Sequence, residues 1–390
     1  MSNVEKLIQE FCPNGVRYVP LGVATDMKRG TMITKKDIIS GDVPVVAGGQ
    51  KPAYYCNEAN REGDIITVAG SGAYAGYVMY WTCPIFVSDA FSLKAKENSI
   101  TKYVYYAMQN LQEQIYSTKK GGGVPHVHIS SIENLKIPLP PLPVQQEIVR
   151  ILDHFTELTA ELTAELTAEL TARRKQYAYY RDALLTISNE NQPVWKTVGE
   201  ISSFRRGSFP QPYGNKDWYD GEGAMPFVQV ADIGENMRLV SNTKRKISKL
   251  AQPKSVFAPT GSIIISLQGS IGRIAITQYD SYIDRTVAIF QNISSDINSK
   301  YFVYQLQRIF SIKERTARGS TIKTITKEEF TSFQIPIPSL EEQERIVSIL
   351  DRFDALCNDL TRGLPAEIAA RQKQYEYYRD KLLTFKEFGA

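Results

Sequence analysis

The chain has 390 residues, 43% of them hydrophobic and 23% charged, a balance that suits two or three soluble globular domains. It holds no run of roughly eighteen apolar residues, so no membrane-spanning helix is expected. Its four cysteines (Cys12, Cys56, Cys83, Cys357) are scattered without a CxxC pair, which argues against a zinc ribbon or a disulfide framework and suits a reducing cytoplasm.

The chain begins MSNVEKLIQEF, without a basic leader and apolar core, so no secretory signal is expected. Over residues 1–136, short runs rich in Val, Ile, Tyr and Phe (DIITVAG, YAGYVMYW, PIFVSDAFSLK) alternate with glycines and predict strands joined by tight turns. A helix is predicted at YVYYAMQNLQEQIYS (103–117). The loop GSGAYAG (70–76) lets a backbone approach a ligand closely. It lacks the strand–glycine–helix frame and distal acid of a dinucleotide site. His126 and His128 alternate on a predicted strand and read as structural rather than metal-binding, because the second half carries Thr324 and Thr326 there.

Residues 137–187 open on a Pro-rich turn and Gln145. Ile148, Ile151, Leu152, Phe155, Leu158, Leu162, Leu166 and Leu170 then follow at steps of three and four, the spacing of one helix face. Thr159–Leu170 is three perfect TAEL units. Each adds about 6 Å of helix, and the leucine row drifts about 40° per unit, so the segment reads as a spacer adjustable in four-residue steps. The helix ends in RRKQYAYYRDALL. There Tyr177, Tyr180 and Arg181 are candidates for docking another protein, since Tyr and Arg are enriched at binding hot spots. The alternative is that they pack at the junction of helix and body.

Residues 188–334 repeat the strand-rich pattern (SIIISLQG, RIAITQY, TVAIFQNI) and the helix (YFVYQLQRIFSIKE, 301–314), and 335–390 repeat the helical segment. The segments 137–187 and 335–385 align without a gap at an offset of 198, with 29 of 51 positions identical, which establishes an internal duplication. GDIITVAGSG (63–72) lies over GSIIISLQGS (261–270) at the same offset. Gly363 and Pro365 replace Glu165 and Thr167 in the second helix, which is expected to be kinked or broken near 363–365 and to resume at Ala366. Tyr375, Tyr378 and Arg379 repeat the first docking cluster. The domain reading is therefore a body at 1–136, a helical spacer at 137–187, a second body at 188–334 and a second spacer at 335–390.

Charge follows this division. Basic against acidic residues number 14 to 12 in 1–136 and 19 to 12 in 191–334, but 5 to 8 in 137–190 and 8 to 10 in 335–390. Positive charge therefore sits on the bodies and negative charge on the spacers, as expected if the bodies touch phosphate and the helices do not. A GxxxxGK[ST] phosphate loop, the Asn-Pro-Pro or Asp-Pro-Pro aromatic tetrapeptide of amino-methyltransferases and a framed acid–base pair are all missing from the sequence. No catalytic residue, metal site or cofactor is expected in this chain.

This order of body, constant helix, body, constant helix resembles the specificity subunit of type I restriction–modification systems, in the subgroup with TAEL repeats. The residues that carry the likeness are CPNGVRYVPLG near the start, IPLPPLPVQQEIVRILD, the TAEL units and GLPAEIAARQKQYEYYRDKLLTF. The resemblance implies an α+β fold with two pseudo-two-fold-related mixed α/β target-recognition domains, separated by two long antiparallel coiled-coil helices. Each domain would read one half of a bipartite, asymmetric DNA site. The helices would set the spacer and dock two adenine-methyltransferase subunits. Restriction/translocase subunits would join the same core, with S-adenosylmethionine, ATP and Mg all on those partners. Base readers are sought in polar loops: Gln50, Lys51, Tyr54, Ser71, Tyr74 and Lys119 in the first body; Arg206, Gln268, Ser270, Arg273, Arg285, Arg318, Ser320 and Lys323 in the second. The rival from another class is a coiled-coil scaffold with two protein- or glycan-binding domains, against which the charge partition argues.

Overall fold

A computed structural model describes residues 3–34, 39–186, 193–234, 236–268, 270–316, 327–358 and 363–389. The chain forms two compact units, Met1–Glu165 with Ile368–Ala390, and Leu166–Glu367. Each contains one body, part of the long helix Leu142–Leu185 and part of the C-terminal helical segment. Fold class agrees with the expectation: mixed α+β, two sheet-containing bodies and a long helix between them in the chain.

In the first unit, strands Thr25–Arg29, Ala90–Ala95, Ile65–Ala69 and Val78–Trp81 form an antiparallel sheet in that order. A smaller sheet follows the order Tyr54–Cys56, Val43–Val46, Phe86–Val87. Ile66, Val68, Phe91 and Leu93 alternate onto one face and pack under Val104 and Met108 of helix Thr101–Asn110. The second unit repeats this with Ser203–Arg206, Val287–Gln291, Ile263–Ser266 and Ile274–Ile276, and its smaller sheet has four strands instead of three.

Strand register corrects one detail of the repeat. Val68 pairs Phe91, and Ile265 pairs Ala288. The face packed on the helix is Ile66 and Val68 in one body and Ile263 and Ile265 in the other. The strands therefore correspond at an offset of 197, one less than the matched letters of GDIITVAG and GSIIISLQ suggest. Period-two alternation decides this, because a one-residue slip would turn the whole apolar set outward.

Body and helix are joined by the same bonds in both units. The Gln145 side chain accepts from Ile100 N (2.9 Å) and donates to Asn98 O (2.9 Å) and Pro140 O (2.7 Å). Gln343 accepts from Asn298 N (2.7 Å) and donates to Asp296 O and Pro338 O (2.9 Å each). Tyr106 donates to Asp153 (2.6 Å) and Tyr304 to Asp351 (2.9 Å), with Lys102 and Lys300 paired to the same carboxylates. Both glutamines are fully buried, so each amide group needs a protein partner and has one.

Within each unit the helices run antiparallel. In the first, Ile148 and Leu152 share a core with Leu383, and Phe155 meets the Tyr378 ring at 5.9 Å. In the second, Leu185 packs with Ile346 and Val347, and Tyr180 stacks on Phe353 at 5.7 Å. Burial along the expected stripe is uneven: Ile148 and Leu152 are buried, whereas Leu158, at the edge of the TAEL segment, is 47% exposed. Among the described residues the second stripe is helical over Leu340–Asn358 and again from Leu364, and residues 359–362 lie outside them. Leu360 lies outside the described residues. Gly363 stands outside the helix, but Pro365 sits in the first turn of the helix that follows, where its missing N–H costs nothing, so that helix starts at Leu364 rather than Ala366.

The first unit also joins the chain's two ends: Val16 N donates to Lys386 O (2.8 Å) and Phe388 N to Val16 O (3.0 Å). Nearby, Glu147 is buried and takes both guanidinium bonds of Arg150 at 2.8 Å. Those bonds, with a smaller contribution from Asn3 and against the cost of burial, lower its carboxyl from the usual 4.5 to about 2.

Two predictions follow from these contacts. Gln145→Leu and Gln343→Leu each leave a part-buried backbone N–H and two carbonyls without their partner, and each should lower unfolding free energy by about 1–3 kcal/mol in urea denaturation. Thr171→Ala, on an exposed helix face, should change it by less than about 0.5 kcal/mol. The depressed Glu147 carboxyl contributes stability that is fully present above its unfolded value and lost as pH falls from about 4.5 toward 2. Glu147→Gln should therefore flatten the acid limb of the stability–pH curve, and an unchanged limb would refute the assignment.

Candidate nucleic-acid interface

Strand ends decide where the predicted readers lie. In the first body, Thr25–Arg29 ends at Arg29, Ile65–Ala69 is followed by Ser71, Tyr74 precedes Val78–Trp81, and Asp89 precedes Ala90–Ala95. All four positions are at one end of one sheet. Gly30 is required there: a Cβ would lie 2.1 Å from Ser88 O. The smaller sheet's hairpin joins this end, because a Cβ on Gly48 would meet Ser71 O at 2.4 Å. Gln50 and Lys51 extend from that hairpin and are exposed. Tyr54 is more confined, its hydroxyl donating to Ile33 O at 3.0 Å.

Ser71 is bonded to Asp89, and Tyr74 is 47% exposed. The segment after the helix closes the group. Lys120 and His126 exchange backbone bonds (2.8 and 2.9 Å), Val127 N donates to Gly70 O (3.0 Å), and Ser71 bridges His126. Between them Gly122 and Gly123 face open space. Lys119 lies over the Tyr116 ring at 4.1 Å. Five of the first body's six predicted readers therefore sit on loops that converge on one edge, and the sixth, Tyr54, opens strand Tyr54–Cys56.

The second body does the same with different chemistry. Arg206 ends its strand, Gln268 follows Ile263–Ser266, Arg273 precedes Ile274–Ile276, and Arg285 precedes Val287–Gln291. Arg206, Gln268, Ser270 and Arg285 are exposed. Arg273 is half-buried and donates from Nη1 to Ile233 O at 3.2 Å, so a bidentate contact from it would use the Nε–Nη2 edge. Arg285 covers the Tyr213 ring at 5.6 Å. Burial and the Asp284 carboxylate push the Tyr213 phenol up to about 12. Gly207 repeats Gly30, its Cβ position 2.3 Å from Asp284 O. Arg318, Ser320 and Lys323 lie outside the described residues.

Three exposed residues at the first edge were absent from the predicted set: Arg29, His126 and His128. Arg29 is the counterpart of Arg206, since both end the strand before the crowded glycine. The signal was present in the matched MKRG and FRRG segments. The histidines read as structural in sequence, yet it is Val127 between them that is buried.

The tyrosine clusters divide. Tyr177 and Tyr180 pack against Phe353, Tyr378 packs against Phe155, and the Tyr375 hydroxyl lies 3.1 Å from Thr156 Oγ1. Arg181 and Arg379 pair with the adjacent Asp182 and Asp380. Tyr179 and Tyr377 turn outward, 71% and 62% exposed. A cavity of about 590 Å³ in the second unit, lined by Met237, Ile276, Lys300, Val303, Tyr304 and Asp351 among others, lies at the helix junction, at the opposite end of strand Ile274–Ile276 from Arg273. Among the described residues no group of His, Cys, Asp and Glu is placed to hold a metal, and no helix is long and apolar enough to cross a membrane.

Comparison with known proteins agrees with this layout. The family described as type I restriction modification DNA specificity domain matches residues 19–172 and 195–370. The chain is 34% identical to a type I restriction enzyme specificity subunit of Escherichia coli, covering 99% of this chain and 97% of that one. It is 32% identical to a putative type I restriction enzyme specificity subunit of Haemophilus influenzae, covering 98% of each. The fold is shared with a chain solved in work on complex assembly and conformational transition of the type I R-M system (TM-score 0.65, 21% identity, 96% and 98% covered). It is also shared with the HsdS subunit from Thermoanaerobacter tengcongensis (TM-score 0.53, 20% identity, 96% and 97% covered).

Proposed function

Because the chain belongs to the DNA-specificity subunits of type I restriction–modification systems, which recognise DNA without catalysing its modification, we propose that its two bodies read the two halves of one bipartite, asymmetric site. The observation that carries this is the convergence, in each body separately, of exposed polar and cationic residues on the loops at one end of the main sheet. Gln50, Lys51, Ser71, Tyr74 and Lys119 serve the first half-site, and Arg206, Gln268, Ser270, Arg273 and Arg285 the second. Phosphate contacts set register, while base edges carry the sequence. Different side chains on the same scaffold let the two halves of the site differ.

The outward Tyr179 and Tyr377, together with the packed clusters beneath them, mark helix surface for two adenine-methyltransferase subunits, and restriction/translocase subunits complete the assembly in the cytoplasm. S-adenosylmethionine, ATP and Mg belong to those partners. The three TAEL units support assigning this chain to the TAEL-repeat subgroup, in which they act as a length element. All three lie inside one continuous helix, where inserting or removing four residues leaves the hydrogen-bond ladder whole.

Replacing residues 30–128 with those of a paralogue, so that every loop of the first edge is exchanged together, should change one half of the methylated sequence and leave the other intact. Mapping methylated adenines in cells carrying the chimaera and its partner checks this, and a change in both halves would refute modular reading. Deleting residues 163–166 should shorten the accepted gap between half-sites by one to two base pairs, since about 6 Å of helix is removed against about 3.4 Å per base pair. An unchanged gap in the same mapping would end the length reading.

A further inference from the structure

His126 and His128 stand on an extended segment whose middle residue, Val127, is 2% exposed and belongs to the first body's core. Alternation therefore sends both imidazoles outward. Their rings are parallel within 3° at 6.1 Å between centroids, beside the loop that carries Ser71 and Tyr74. Arg29 reaches them from the neighbouring strand end, its Nη2 lying 3.4 Å from His128 Nδ1. Arg29 is itself anchored: its carbonyl accepts from Arg61 Nη2 at 2.8 Å, and Arg61 is held by Ser92 Oγ (2.7 Å) and Asn60 O (2.6 Å).

A guanidinium has donors only, so His128 Nδ1 must accept. In a neutral imidazole the proton then sits on Nε2. Arg29 thus fixes which ring nitrogen carries the hydrogen and leaves the opposite side of the ring, with its N–H donor, at the surface. A single N–H donor on a flat ring can pair with a purine N7 in the major groove, the acceptor that 7-deazapurine removes while guanine O6 and thymine O4 stay in place.

Resting on the half-site reading above, we infer that His128 is a specificity-determining residue of the first half-site, donating from Nε2 to a purine N7, with Arg29 as its positioning residue. The device is particular to this body, because the aligned residues of the second half are Thr324 and Thr326.

The test uses the full chain assembled with its methyltransferase partner on a randomised duplex library, followed by sequencing of methylated molecules. His128→Ala should relax preference roughly tenfold at one purine position of the first half-site, with the second half-site and the unfolding midpoint unchanged. A duplex carrying the mapped site with 7-deazapurine at that position should be methylated roughly tenfold less by the wild-type complex and be no further penalised in His128→Ala. Arg29→Lys, which keeps the charge but not the fork, should relax the same position and add little to His128→Ala. An unchanged preference, a loss equal across all sequences, or indifference of the wild type to 7-deazapurine would overturn the assignment. A wild-type complex with no sequence preference in either half would instead sink the half-site reading, and this inference with it.

Discussion

A buried side-chain amide holds each body to its helix. Gln145 and Gln343 each close three bonds to backbone on both sides of the joint, and removing either amide would strand polar groups in a dry interior. The Tyr106–Asp153 and Tyr304–Asp351 bonds lie about two turns along the helix from the amides and give each joint a second point of attachment. Because the far ends of those sheets carry the candidate readers, a loose joint would blur whatever the loops recognise.

Duplication has kept this joint and released the rest. The bonds recur atom for atom at an offset of 198, while the loops beyond the strands have diverged. The first body carries a glycine-lined hairpin between Lys120 and His126, and the aligned residues of the second body lie outside the described ones. Among the described residues the second body's smaller sheet has a fourth strand where the first has the Arg61–Ile85 bridge, and an aromatic group in which Phe209 meets Tyr213 at 4.7 Å and Tyr219 at 5.2 Å. Both kept the glycine after the first strand's basic end, because the backbone of the neighbouring loop leaves no room for a Cβ at Gly30 or Gly207. A rigid frame with free loop tips is the division that a pair of unlike readers needs.

Much of this was legible in the letters. Apolar spacing placed the helical segments, the 198-residue repeat placed the bodies, and Gly363 with Pro365 marked a helix boundary. What misled was local likeness. GDIITVAG matches GSIIISLQ best at a register the folded strands do not use. Pro365 looked like a breaker in mid-helix when it stands at a helix start.

The sequence by itself determined the repeat, the order of elements, the chemical character of the loops and the family, because periodicity, identity and composition are properties of neighbours along the chain. Only the tertiary structure decided which residues share an edge. Gln50 and Ser71, or Arg29 and His128, are distant in the chain, and they are brought together by strand pairing and by close backbone approach at glycine. Those contacts depend on which face each strand buries, and that is settled by packing against a helix elsewhere in the chain rather than by any local pattern.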